Sequence, residues 1–226
     1  MGIETSSVPV TVSDALPNLR AGRLSRADDL TRNQPAMHLI AQRRAYRRAH
    51  LGSLVRGRLR GGYDPRHRAL SRRIAGVRGV ANELWDLTAK HPSWRVLHSV
   101  HTDVPTRAGQ GGGPIDLDQV VLGPAGVFTI QAVYRPVGEV TADAARDGAR
   151  RVQEVLGGAT RVPVTVRALV VFVRTDHVRV EGPRDEVEVL TDDELTPWLA
   201  SRRPMLTDRE LEIVHLAARD RRTWTR

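Results

Sequence analysis

The sequence contains no cysteine and only one lysine, although lysine and arginine together account for 35 of its 226 residues. The absence of cysteine excludes disulfide bonds, zinc sites built from thiolates and a cysteine nucleophile. Because Lys90 is the single lysine, any mechanism that needs an amine would have to use it. The sequence therefore leaves arginine, histidine and the carboxylates as its main chemical resources.

Long apolar runs and several familiar catalytic motifs are also missing. The longest apolar run near the predicted sheet, Ala168–Val173, is far too short to span a bilayer. The first twenty residues lack the basic start and apolar core of a signal peptide, so a cytoplasmic protein is expected. The glycine-rich residues 109–113 lack the Lys and Ser/Thr of a phosphate-binding loop. The sequence has no nucleophile elbow that would indicate acyl transfer. It also has no convincing pair of histidines on a helix that would indicate a zinc site.

The basic residues are concentrated at one end of the chain. Residues 1–80 contain sixteen arginines and five acidic residues, whereas the remainder is nearly neutral. Residues 1–35 show no periodicity and predict disorder, and residues 36–60 predict a helix. We therefore expect a basic, partly disordered and partly helical arm over residues 1–65 and a folded domain over residues 66–226.

The arginines of the predicted arm helix are the expected nucleic-acid contacts. Arginines in this setting suit phosphate groups, an anionic membrane surface, or simple solvation. With Tyr46 as its one aromatic residue, the segment does not indicate a platform that stacks on bases. The arginines concerned are Arg43, Arg44, Arg47, Arg48, Arg56, Arg58 and Arg60.

The remaining pattern predicts helices and strands that alternate along the chain. Helices are expected over residues 67–90 and 142–156, and capping boxes at Thr191–Glu194 and Thr207–Glu210 predict two more. Strands are expected over residues 94–101, 115–122, 126–134, 138–141 and 164–173, with weaker ones over 177–180 and 186–190. This order predicts an α/β sheet sandwiched by helices.

Two acidic residues lie on a strand whose other residues are mostly Ile, Leu and Val. A carboxylate on such a strand is costly unless it is paired, hydrogen-bonded or bound to a metal. Asp118, together with Glu83 of the preceding helix, would hold one Mg²⁺ ion, which prefers carboxylate, water and phosphate oxygens. The structural alternative is that Asp116 starts the strand at the solvent edge and Asp118 caps a loop or pairs with an arginine.

Four segments resemble the nuclease-related domain (NERD) family. They are residues 78–83, 94–98, 115–130 and 164–173, and the most specific is Asp-x-Asp followed by Gly-Pro-x-Gly-Val-Phe. The resemblance implies a restriction-endonuclease-like fold, in which a mixed central sheet is flanked by helices. It also implies that Asp118 is the metal-binding aspartate, that Glu83 is the helix carboxylate, and that Mg²⁺ is the cofactor.

The sequence departs from that family at the positions that carry the chemistry. Gln119 replaces the usual histidine, Gln131 replaces the usual Glu, Asp or Asn, and Val133 replaces the lysine. The lysine would orient the attacking water or stabilise charge in the transition state. Contributions of this kind are typically worth about 3–4 kcal/mol. The resemblance therefore implies the fold more than the activity.

The sequence predicts a nucleic-acid-associated nuclease homologue whose metal site is degenerate. Two alternatives stay open. One is a weak Mg²⁺-dependent DNA nuclease that uses Asp118, Glu83 and Gln131, with an arginine such as Arg135 in place of the lysine. The other is a non-enzymatic scaffold that uses the same fold to bind a protein.

Overall fold

The computed structural model describes residues 24–52, 64–103, 114–134, 140–175, 180–181 and 186–225. Two short 3-10 turns lie at Leu30–Arg32 and Arg221–Thr223. The helices are α1 (Met37–Ala49), α2 (Pro65–Lys90), α3 (Ala142–Thr160), α4 (Asp192–Ala200) and α5 (Asp208–Arg219). The strands are β1 (Arg95–Thr102), β2 (Ile115–Gly123), β3 (Gly126–Tyr134), β4 (Val140–Thr141), β5 (Val166–Val173), β6 (Val180–Glu181) and β7 (Val187–Thr191).

The central sheet has five strands in the order β1-β2-β3-β5-β7. Strands β1, β2 and β3 are antiparallel neighbours, whereas β5 joins β3, and β7 joins β5, in parallel. Strands β4 and β6 form a separate short parallel pair. The expected α/β class, a mixed sheet flanked by helices, is confirmed.

Helices cover both faces of the sheet. Helices α2 and α4 pack on one face, where Leu84 and Leu195 meet Phe128 and Leu169 in one apolar cluster. Helices α3 and α5 cover the other face. Helix α2 approaches the sheet closely because Gly79 has no side chain: a Cβ there would lie 2.6 Å from a methyl carbon of Val173.

The segment before α2 belongs to the folded unit. Leu30 and Leu39 are only 2% and 1% exposed, and they contribute to the apolar clusters on opposite faces of the sheet. Ser99 of β1 adopts a left-handed backbone conformation with φ of 51°. Its hydroxyl accepts a hydrogen bond from the Met37 N–H at 2.9 Å and donates to the Gln34 carbonyl at 3.1 Å. These contacts fix the start of α1 on β1.

This packing corrects the expected arm. Residues 24–35 were predicted to be disordered because their apolar residues show no periodicity. They instead contain a 3-10 turn that is fixed on the fold by the burial of Leu30. The helix predicted over residues 36–60 is α1, Met37–Ala49. Residues 1–23 and 53–63, with Arg56, Arg58 and Arg60, lie outside the described residues. None of the described helices combines the length and apolar character that crossing a membrane requires.

Candidate functional site

The sheet divides between β2 and β3. Their pairing runs from Gly123 opposite Gly126 to Gln119 opposite Ile130. Beyond that point β2 continues beside β1 as far as Ile115, while β3 continues beside β5. We call the space between residues 115–118 of β2 and residues 131–134 of β3 the fork. A fork of this kind exposes polar atoms that a continuous sheet would pair.

Asp118 lies in the fork and is 3% exposed. Its Oδ1 atom is 3.4 Å from Nη2 of Arg73 and 3.8 Å from Nε2 of His38, and its Oδ2 accepts the Ala132 N–H at 3.4 Å. Burial raises the pKa of Asp118, and the Arg73 guanidinium, followed by His38, acts in the opposite direction. The carboxylate is therefore paired with a cation, as one of the sequence alternatives allowed.

Arg73 is one residue of the candidate site that the sequence did not indicate. It lies on α2, and its side chain is 49% exposed, so the guanidinium reaches from solvent into the fork. Arg73 precedes Val77 by four residues, which places both on one face of the helix. The Val77 carbonyl accepts a hydrogen bond at 2.8 Å from Nε2 of Gln119, the residue next to Asp118.

His38 of α1 was also missed, and it completes the surroundings of Asp118. Both of its ring nitrogens are buried, and among the described residues they find no hydrogen-bond partner. Burial lowers the pKa of His38, whereas Asp116 and Asp118 act to raise it. At neutral pH the ring is therefore a largely neutral neighbour of the carboxylate, and Arg73 carries the compensating charge.

The three positions where the sequence departs from the nuclease pattern have distinct surroundings. Gln119 is fully buried, and its hydrogen bond to Val77 ties β2 to α2. Gln131 is partly buried and borders a cavity at the fork. Val133 packs on an apolar cluster that includes Ala142 and Phe172. The lysine position of the pattern thus faces an apolar environment.

Glu83 does not join Asp118. It lies on α2 beside an acidic corner that comprises Glu83, Asp86, Asp192 and Asp193. Burial, and then the three neighbouring carboxylates, raise the pKa of Glu83. The structure therefore separates the two residues that were expected to share a metal ion. Helix direction explains the separation, because ten residues of α2 between Arg73 and Glu83 span about 15 Å.

The carboxylate that the resemblance implies as a Mg²⁺ ligand already has partners in the fork. Mg²⁺ is usually bound through one or two carboxylates together with waters and substrate phosphates. The guanidinium of Arg73 lies beside one oxygen of Asp118, and the Ala132 N–H lies beside the other. In the part of the chain that the structure describes, no group of three His, Asp or Glu side chains is arranged to hold a metal ion.

A basic surface adjoins the fork. Helices α1 and α2 contact each other through the Arg43 guanidinium and the Ser71 hydroxyl at 3.5 Å, and through the Tyr46 hydroxyl and Asp64 at 2.8 Å. Over residues 37–52 and 64–82, Asp64 is the one acidic residue. We call the following set the arginine surface: Arg43, Arg44, Arg47 and Arg48 of α1, and Arg66, Arg68, Arg72 and Arg73 of α2.

Arg73 connects this surface to the fork, because it belongs to the arginine surface and also contacts Asp118. Four of the seven arginines expected to contact nucleic acid lie on the surface, and Arg44 and Arg47 are exposed. Arg135, the expected substitute for lysine, lies outside the described residues. No protein-family model matches the chain, and searches of curated proteins and of solved structures find no significant match.

Proposed function

We propose that this chain is a nucleic-acid-binding homologue of the NERD nucleases that does not cleave its ligand. The observation that carries the proposal is the arginine surface, which leads into a fork whose carboxylate is neutralised by Arg73. Two contacting helical segments, residues 37–52 and 64–82, carry nine arginines and one acidic residue, and this balance favours a polyanion. A cytoplasmic location is part of the same proposal.

The order of elements supports a restriction-endonuclease-like fold. A helix is followed by three antiparallel strands, a helix and a strand parallel to the third, with Asp118 on β2 and Gln131 on β3. This is the arrangement that the resemblance to NERD proteins implies. The proposal gives the fork a binding role, because Asp118, the metal ligand that the resemblance implies, is paired with Arg73 and the Ala132 N–H.

Binding of labelled duplex DNA at increasing salt concentrations tests the proposal. Affinity should fall with a log–log slope of about −0.9 for each phosphate that the protein neutralises. The double variant Arg44→Ala/Arg47→Ala should weaken binding and flatten this slope by up to about 2. The matched control is Arg203→Ala/Arg209→Ala, which removes two exposed arginines outside the arginine surface. Equal binding by the two double variants would contradict the proposal.

A cleavage assay addresses the catalytic half of the proposal. The full chain, incubated with Mg²⁺ or Mn²⁺, should leave labelled DNA and RNA intact. If it does cleave them, and Asp118→Ala abolishes the cleavage, the nuclease alternative replaces this proposal.

The scaffold alternative is favoured by one observation. The indole of Trp85 on α2 is 75% exposed, and aromatic residues are common at protein interfaces. If Trp85→Ala abolishes binding of a protein partner while DNA binding is unchanged, this alternative is preferred.

A further inference from the structure

The fork opens into a cavity of about 450 Å³. Its apolar walls include Ile115, Leu117 and Ile130. Its polar lining comprises Arg73, Asp116, Asp118, Thr129, Gln131 and Asp147. Ligand cavities in proteins typically measure about 300–1,000 Å³ and combine apolar walls with a few polar groups. The cavity therefore has the size and the mixed lining of a ligand site.

Thr129 adds a polar group without a described partner to the lining of this cavity. The residue is 4% exposed, and its buried hydroxyl finds no hydrogen-bond partner among the described residues. An unpaired buried hydroxyl costs free energy, so each such group in a native protein needs an explanation. A ligand that hydrogen-bonds to this hydroxyl removes the penalty.

Asp118 indicates the kind of ligand. Its contacts with Arg73 and Ala132 are both long, at 3.4 Å, and an ionised carboxylate has about four acceptor positions. The charge is compensated by Arg73, which disfavours a metal ion but leaves room for neutral N–H donors. The Gln131 amide beside it can both donate and accept. The cavity thus offers a carboxylate next to an amide.

We propose that the cavity takes an unpaired nucleobase, with guanine preferred over the other three bases; this inference rests on the proposed binding of nucleic acid. Guanine presents two adjacent donors, N1–H and N2–H, to the Asp118 carboxylate, and its O6 accepts from the Gln131 amide. Adenine and cytosine present an amino group next to a ring acceptor, and uracil presents one N–H between two acceptors. Arg73, half exposed at the edge of the fork, takes the attached phosphate.

The rim of the cavity determines where that phosphate lies. Asp116 and Asp147 also border the cavity, and they repel an anion. Asp116 also contacts His101, whose Nδ1 lies 2.8 Å from its Oδ1. The phosphate is therefore oriented toward Arg73 and the arginine surface, where the rest of a nucleic-acid strand would continue.

Calorimetric titration of the full chain with GMP, AMP, CMP and UMP tests this site directly. GMP should bind about tenfold more tightly than the other three, since one bidentate base contact gives discrimination of this size. Thr129→Val and Gln131→Leu should each weaken GMP binding at least about fivefold. Asp118→Asn turns one acceptor into a donor and should abolish the preference for GMP.

The variants carry matched controls. Thr129→Val removes a hydroxyl that has no described partner, so its melting temperature should not fall below that of the wild type. Thr165→Val, an exposed threonine outside this cavity, should leave GMP binding unchanged. Equal affinity for all four nucleotides, or undiminished GMP binding by Thr129→Val and Gln131→Leu, would overturn the inference.

The outcome is separable from that of the proposed function. If GMP binds selectively while duplex DNA shows no salt-dependent binding, the nucleobase site stands and the polyanion proposal fails. If duplex DNA binds through the arginine surface while GMP shows no preference, the polyanion proposal stands and the nucleobase site is rejected.

Discussion

Asp118 in the fork and Glu83 in the acidic corner are both carboxylates whose pKa is raised by burial, yet their neighbours carry opposite charges. Asp118 faces Arg73 at 3.4 Å, whereas Glu83 lies near three further carboxylates, with Lys90 as a weaker opposing influence. Removing a carboxylate therefore has opposite consequences in the two regions. Removing Asp118 leaves the Arg73 guanidinium without its partner, whereas removing Glu83 relieves repulsion among the remaining carboxylates. Burial alone does not define the role of either group.

The largest expected effect on stability comes from weakening the packing of α1 on the sheet. This helix positions His38 at the fork and lies outside the acidic corner. Leu39→Ala should lower the free energy of unfolding by about 3 kcal/mol, because it leaves a cavity in the apolar cluster. Urea denaturation measures the change, and Met37→Ala, at a side chain that is 42% exposed, serves as the control. Equal effects of the two variants would mean that α1 is not part of the folded unit.

The second effect concerns the strand position that a nuclease would give to lysine. Val133→Lys should lower the free energy of unfolding by about 2 kcal/mol, since an ammonium group replaces an aliphatic one beside an apolar cluster. Ala89→Lys, at an exposed position of α2, should change it by less than about 0.5 kcal/mol. The variant Gln131→Glu/Val133→Lys should remain without nuclease activity. Robust Mg²⁺-dependent cleavage by it would show that the fork can accept a metal ion.

The third effect is pH-dependent. Because the folded state raises the pKa of Asp118, the folded state binds the proton more tightly than the unfolded state does. The stability that this group contributes is present at low pH and is lost as pH rises from the ordinary carboxyl pKa through the raised one. Relative to Asp118→Asn, the wild type should lose stability over that range. Parallel pH profiles from urea titrations of the two proteins would argue against this account.

The smallest effect belongs to the acidic corner. Glu83→Gln removes one of four neighbouring carboxylates and should raise the free energy of unfolding at neutral pH by less than about 0.5 kcal/mol, since solvent screens the partly exposed group. Thermal melts at low and high salt provide the measurement, and the gain should shrink as salt increases. A loss of stability would indicate that Glu83 makes a favourable contact.

Local patterns predicted much of the fold. Both C-terminal capping boxes form, and β3 begins and ends at the predicted residues. The burial of Leu30 was not predictable, because a single buried residue in a turn leaves no periodic pattern. In the site, the sequence indicated that Asp118 needs a partner but could not name Arg73. The two are 45 residues apart, and only the packing of α2 on the sheet joins them.

The turn before α1 meets the end of the chain's last described helix, where Arg219 binds Asp29 and the Arg221 N–H donates to the Asp28 carbonyl. Asp29 and Arg219 are 190 residues apart. During synthesis at about 5–20 residues per second, the ribosome needs about 10–40 seconds to make that interval. Throughout this time Leu30 lacks the part of its apolar cluster that α5 supplies, although β1 is already available to it. Native docking of this segment is therefore a late step, and a nascent chain stalled before residue 219 would expose the segment to chaperones and proteases.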